Sequence, residues 1–206
     1  ITLTAVDRSR LYGDTLELGE TDFDLADFGL TEPEAAFELP NGETIDTVTL
    51  TSRDGRAGST IDAAGTYDDN ISIEVGSEIG SNGFRSSNYA ITLEDGDFVI
   101  ERRPVTLTAT GQARVYGDDM VLSDTAFTVT DVDLDGDLPN GEVIDTVNLN
   151  SATGVDVTTT ASAGAYPNEI QIVGQTGEAG TNFNAANYDL TYVAGDLVVS
   201  RRAVTL

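Results

Sequence analysis

The chain has 206 residues, 36 of them Asp or Glu against ten basic ones, and a formal net charge of −26. All ten cations are Arg, and so acidic a field repels nucleic acid and anionic membrane surfaces while favouring solubility and cations. The absence of Cys and His excludes disulfides, thiol chemistry and the usual nucleophile–base pairs, and there is neither a signal peptide nor an apolar run near membrane-spanning length.

Ile1 to Val6 alternate apolar and polar residues, which predicts a strand with one buried face. Leu11-Tyr12-Gly13-Asp14 comes next. It supplies a ring for the core, a Gly for an unusual backbone angle and an Asp to close a turn. Asp22, Asp24 and Asp27 make the following stretch acidic, and Thr31 to Leu39 carries Thr, Pro and Glu in an order that starts one short helical turn. After Leu39-Pro40-Asn41-Gly42-Glu43, strands are predicted at Thr47 to Thr51 and Ile71 to Val75. Between them lie Ala64-Gly65-Thr66-Tyr67 and a turn at Asp68-Asp69-Asn70, where Asn70-Ile71-Ser72 also fits a glycosylation sequon. Tyr89 to Leu93 leads through Glu94-Asp95-Gly96-Asp97 into Phe98 to Ile100, which reads as a β-hairpin. Arg102-Arg103-Pro104 then runs straight into the alternating residues Val105 to Ala109, a semi-stiff joint.

The second half repeats the first. Leu11-Tyr12-Gly13-Asp14 returns as Val115-Tyr116-Gly117-Asp118, at an offset of 104. Leu39 to Glu43 returns as Leu138-Pro139-Asn140-Gly141-Glu142, now at 99, which places about five extra residues in the first copy between Asp14 and Leu39. Ala64 to Tyr67 returns as Ala163-Gly164-Ala165-Tyr166, Asn88-Tyr89 as Asn187-Tyr188, and Gly96-Asp97 as Gly195-Asp196. Residues 1–103 and 104–202 therefore form two domain-sized units, and 203–206, with Val204-Thr205-Leu206, has the pattern of the first strand of a following repeat. The chain reads as a window on a longer array. Its fold class is all-β: tandem immunoglobulin-like β-sandwich domains in an elongated array. The alternative, β-grasp-like units, needs a helix packed on the sheet.

These motifs, in this order and twice over, resemble the MBG domain of YGX type found in large bacterial adhesins and hemagglutinin-like surface proteins. The resemblance rests on Tyr12 to Asp14 and Tyr116 to Asp118, Asn41 to Glu43 and Asn140 to Glu142, Ala64 to Tyr67 and Ala163 to Tyr166, and the closing Asn-Tyr and Gly-Asp pairs. It implies a repeated extracellular module on the cell surface and carries over no catalytic residues.

One segment has the spacing of a cation loop. Asp131-Val132-Asp133-Leu134-Asp135-Gly136-Asp137, ending at Glu142, matches an EF-hand calcium loop, so Asp131, Asp133, Asp135, Asp137 and Glu142 are the candidate calcium ligands. Its flanks alternate instead of showing helical periodicity. The competing reading is an edge strand with Val132 and Leu134 inward and the aspartates solvated, a device against edge-to-edge pairing. The first copy keeps only a loose version in Asp22, Asp24 and Asp27. Asp7 and Glu101, near the joint, are further carboxylates that a shared ion would suit.

The expected function is structural and not enzymatic. A stalk or fibre module works through sheet hydrogen bonds and stiff junctions. Its partners are adjacent repeats or identical chains, whose open sheet edge the strand Val204 to Leu206 could complete. The rival is an adhesion module that recognises a surface glycan or protein, with the extra segment Thr21 to Leu39 as its distinct surface. Neither reading involves nucleic acid or membrane contact.

Overall fold

The alternating residues of Thr2–Ala5 (β1) bury Leu3 and Ala5 and leave Thr2 and Thr4 half-exposed, the pattern of a strand with one wet face. A computed structural model describes residues 1–26, 38–131, 134, 137–156, 158–177 and 182–205. The chain divides into two units, Ile1–Glu101 and Arg102–Leu206. The boundary precedes the one read from the sequence because Arg103 already belongs to the opening strand of the second unit.

In the first unit β1 is followed by β2 (Arg8–Leu11), β3 (Phe23–Ala26), β4 (Thr44–Thr47), β5 (Leu50–Ser52), β6 (Gly65–Ile73), β7 (Ile79–Ser81), β8 (Thr92–Glu94) and β9 (Gly96–Glu101). One sheet has the order β3-β1-β8 and another β2-β9-β6-β5, with β4 and β7 as a separate ribbon. The second unit holds β10 (Arg103–Ala109), β11 (Gln112–Val115), β12 (Phe127–Asp131), β13 (Ile144–Ser151), β14 (Gly164–Gly177), β15 (Tyr188–Val193) and β16 (Gly195–Ser200). Its sheets are β12-β10-β15 and β11-β16-β14-β13, the same two orders. Here β13 and β14 run unbroken where the first unit is interrupted. The interruption has a local cause: Gly76 turns with φ 77° and Ser77 N–H closes back on the Glu74 carbonyl.

Both units are all-β. Among the described residues helical structure is confined to short 3-10 turns, such as Pro40–Gly42 and Pro139–Gly141. Most of the helical turn read from Thr31 to Leu39 lies outside the described residues. Residues 203–205, read as an opening strand, make no strand pairing. The cores are drawn from the inward positions of both sheets: Leu3, Ile71, Phe98 and Ile100 in the first unit, and Leu107, Val147, Ile170 and Leu197 in the second. Each such side chain contributes about 1.5–3 kcal/mol through burial.

The connection Glu94 to Asp97 is not a hairpin. β8 pairs with β1, whereas β9 pairs with β2 and β6, so the chain steps from one sheet to the other between them. The first strand makes the same step between β1 and β2. Both pairings, β1 with β8 and β2 with β9, are parallel, which only a long excursion of chain between them allows. The second unit repeats this with β10 beside β15 and β11 beside β16. The two steps press on each other. A Cβ on Gly96 would stand 2.5 Å from the Ala5 carbonyl oxygen, and one on Gly195 would stand 2.5 Å from that of Ala109.

The aspartate after each glycine has its own task. Asp68-Asp69-Asn70, read as a turn, is a bulge inside β6, where the register shifts between Tyr67 and Ile71. Asp69 adopts φ 51° and its N–H donates to Asp97 Oδ1 at 2.9 Å. In the second unit Asn168 adopts φ 55° and donates to Asp196 Oδ1 at the same distance. The Gly-Asp motif thus permits the step and pins the neighbouring bulge.

Candidate functional site

β12 is an edge strand, and it ends at Asp131. The Asp131 side chain is fully buried and accepts from Arg103 Nε at 2.7 Å, with the Arg103 side chain equally buried. Its other oxygen accepts the Leu134 N–H at 3.2 Å, an Asx-type turn that ends the strand. The pair sits together because β10 lines its inward face with Arg103, Val105, Leu107 and Ala109, and Val105 faces Asp131 in register.

Of the other candidate ligands, Asp137 is exposed, and Asp133 and Asp135 lie outside the described residues. Glu142 is buried and accepts from the Tyr188 hydroxyl at 2.9 Å. A cation drawing on Asp131 and Glu142 would have to compete with Arg103 and Tyr188. Among the described residues no three carboxylates stand together as a metal group. In the first unit Asp22 accepts from Gly19 N–H and pairs with Arg8 at 3.5 Å, and Asp7 accepts from Asp97 N–H at 2.7 Å.

The Glu142–Tyr188 contact recurs. Tyr89 donates to Glu43 Oε2 at 2.7 Å, and this bond, ahead of burial and the carboxylate's charge, lifts the Tyr89 phenol above its ordinary 10.0. Each tyrosine also stacks on a phenylalanine, Phe84 on Tyr89 at 5.6 Å and Phe183 on Tyr188 at 5.4 Å. Each glutamate follows an Asn-Gly turn with both residues at positive φ (Asn41 61°, Gly42 68°; Asn140 59°, Gly141 70°). Two sequence motifs about 46 residues apart are therefore one structural tie. Tyr188→Phe leaves the buried Glu142 short of a donor, and a loss of about 1–2 kcal/mol is expected in urea denaturation. Tyr89→Phe, at a more exposed tie, is expected to lose less.

Two arginines that the sequence reading passed over organise the other end of each unit. Arg10 and Arg114 are buried, each two residues before the tyrosine of Tyr-Gly-Asp. Arg10 donates to the carbonyls of Leu11 and Arg56, and its guanidinium lies 5.6 Å from the Phe98 ring centroid. Burial pulls it below its ordinary value, and Asp62 and Asp14 pull it back. Arg114 donates to the carbonyls of Asp118, Val155 and Thr158. Each guanidinium ties the Tyr-Gly-Asp segment to the loop after β5 or β13. The available signal was recurrence of Arg at the offset of 104.

The same loops are held from below by a second recurring position. Asn70 is buried, accepts from Ser52 Oγ at 2.9 Å and donates to the Arg53 carbonyl, which closes it to use as a glycosylation acceptor. Its counterpart Glu169 accepts from Ser151 Oγ and from Thr153 N–H and Oγ1. Burial pushes the Glu169 carboxyl up, but the bonds from Ser151, Thr153 and Val155 together outweigh it and leave it below its ordinary 4.5. A lowered carboxylate supports the fold above its unfolded value, and that support vanishes as pH falls through the folded one. Glu169→Gln is expected to destabilise the second unit at neutral pH. The gap between variant and parent should close as thermal melts are taken below pH about 4.5.

The Tyr-Gly-Asp turns share a backbone but not a ring environment. Gly13 and Gly117 adopt φ 90° and 86°, and the Asp14 and Asp118 N–H groups close onto Leu11 and Val115. Tyr12 is buried, whereas Tyr116 is 42 % exposed, so ring burial is not common to both copies. Arg202 donates to the Tyr116 carbonyl and pairs with Asp118. Residues 105–198 match the family model of the MBG domain (YGX type). The second unit belongs to the MBG domain family of YGX type. Within this MBG domain the recurring motifs now have physical roles: the Tyr-Gly-Asp turn, the Glu142–Tyr188 tie and the Gly195-Asp196 step. No curated protein and no solved structure matches the chain.

The first unit has an open cleft beside β3. It encloses about 330 Å³ and is lined by Leu25, Leu39 and Ile45 with Glu38, Glu43 and Thr44. Leu25 and Glu38 flank the stretch that carries the extra residues of the first copy. Among the described residues no helix is long and apolar enough to cross a membrane.

Proposed function

We propose that this chain is a structural repeat segment of an extracellular bacterial adhesin, stalk or fibre, without catalytic activity. The observation that carries the reading is repetition of one frame. The MBG domain of the second unit and the whole first unit share both sheet orders, the Gly-Asp step and the Glu–Tyr tie. The first unit is accordingly a second MBG domain. What recurs serves the fold, which is how a module used for length differs from one used for a ligand. Antibodies against the two-unit chain should label intact source cells. The purified chain should show no retention on glycan arrays or matrix proteins. Internal-only labelling, or specific retention, would overturn the reading.

The cleft of the first unit favours a second reading, a binding module for a surface glycan or protein. Retention lost on deleting residues 21–39 would establish it. Two refinements of the structural reading have direct tests. Assembly through strand contacts predicts oligomers in sedimentation at high concentration with calcium, and a persistent monomer removes it. Calcium stiffening predicts a melting midpoint that EDTA lowers, and an unchanged midpoint removes it.

A further inference from the structure

We infer that each unit is a mechanical clamp: tension between its first and last strands loads its parallel strand pairs in shear. The inference rests on the structural-module reading for its purpose, though not for its physics. In the first unit the chain enters at β1 and leaves at β9. β2, pulled back through β1, lies parallel to β9, which is pulled forward. The same opposition acts on β1 and β8. Two parallel strands drawn in opposite directions slide along their length, so the ladder bonds between them share the load and fail together. An antiparallel pair opened from its free end loses them one rung at a time.

The step between sheets adds a lock. Both chains kink at the same level, with Gly96 seated against the Ala5 carbonyl and Gly195 against that of Ala109. Sliding by one residue would bring a side chain with a Cβ into a seat that admits only hydrogen. A backbone bond at each outer end lengthens the ladder, from Tyr12 N–H to the Glu101 carbonyl and from Tyr116 N–H to that of Ser200.

The two units carry the same clamp. The β2–β9 and β11–β16 pairs are equal in length. The β1–β8 and β10–β15 ladders end on equivalent rungs, Thr4↔Glu94 and Thr108↔Val193.

The chain has no cysteine, so introduced pairs are unique attachment points for optical-tweezers handles. Three variants of the whole chain suffice: Ile1→Cys with Arg102→Cys, Arg102→Cys with Thr205→Cys, and Asp145→Cys with Thr176→Cys. The third pair sits at exposed positions near the open end of the antiparallel β13–β14 pair and peels it. Forced unfolding follows the unfolding barrier in the pulling direction. At one pulling speed the first and second variants are expected to rupture at several times the force of the third. Equal force along the ends and across β13–β14 overturns the clamp. A circular-dichroism melt of each variant confirms that it is folded before pulling. High end-to-end force together with specific glycan retention keeps the clamp and removes the stalk reading; low force without any ligand does the reverse.

Discussion

Asp131→Asn is expected to lower the stability of the second unit by about 3–5 kcal/mol, by the same amount in calcium and in EDTA. The side chains of Asp131 and Arg103 are both shut off from water, and their contact is 2.7 Å. A neutral amide removes the negative charge that faces a buried guanidinium at 2.7 Å, and that cost falls on the folded state alone. The amide would also weaken the turn that Asp131 makes with Leu134 N–H. Denaturant titration of the two-unit chain, followed by circular dichroism, reads the loss as an earlier midpoint for one of two transitions. Asp137→Asn is the control, because Asp137 is an exposed member of the same loop and should change little. A loss confined to calcium-containing buffer would mean that the carboxylate serves an ion instead of Arg103.

Gly195→Ala is expected to destabilise the second unit by about 3 kcal/mol. The added methyl would meet the Ala109 carbonyl oxygen at 2.5 Å and its carbon at 3.0 Å. Both are backbone atoms of a central strand and cannot rotate away. The obstruction lies where β10 and β16 change sheets, so relief requires parting the parallel pairs. Gly164→Ala, in β14 with nothing within 4 Å of the new carbon, should be near neutral. The first unit offers the same contrast at Gly96 and Gly65. Differential scanning calorimetry separates these four variants. Equal effects at Gly195 and Gly164 would show that the step tolerates a side chain.

The opening strands, the repeat and the Asn-Gly turns were legible because they depend on local chemistry, whereas Thr47 to Thr51, read as one strand, is broken between β4 and β5. Alternation announces Val105 to Ala109, and Asn-Gly announces a left-handed turn, whatever surrounds them. Strand partners were not legible. Tyr89 to Leu93 and Phe98 to Ile100 read as a hairpin because a short Gly-bearing link joins them, yet each has a parallel neighbour near the start of its unit. Nothing within the segment records that preference. The bulge at Asp69 was misread for a related reason: a residue that tolerates positive φ marks a turn and a bulge equally well. Glu142 was legible as a special acid but not as the acceptor of Tyr188, although its counterpart Glu43 recurs beside Tyr89 and the loop spacing does not. Arg10, Arg114 and Arg103 were missed because arginine is expected at the surface. Here neighbouring carbonyls or a buried carboxylate make burial tolerable.

The parallel pairing of first and last strands also governs when a unit can fold. Thr2 lies opposite Thr92, and Arg103 opposite Tyr188, so each sheet has a rung that spans nearly the whole unit. Contacts so distant in sequence make folding slow, because the loop must close before the contact rewards it. Until β8 and β9, or β15 and β16, have been synthesised, β1 or β10 lacks one of its two neighbours. A nascent unit therefore cannot complete either of its two main sheets until about its last dozen residues have emerged.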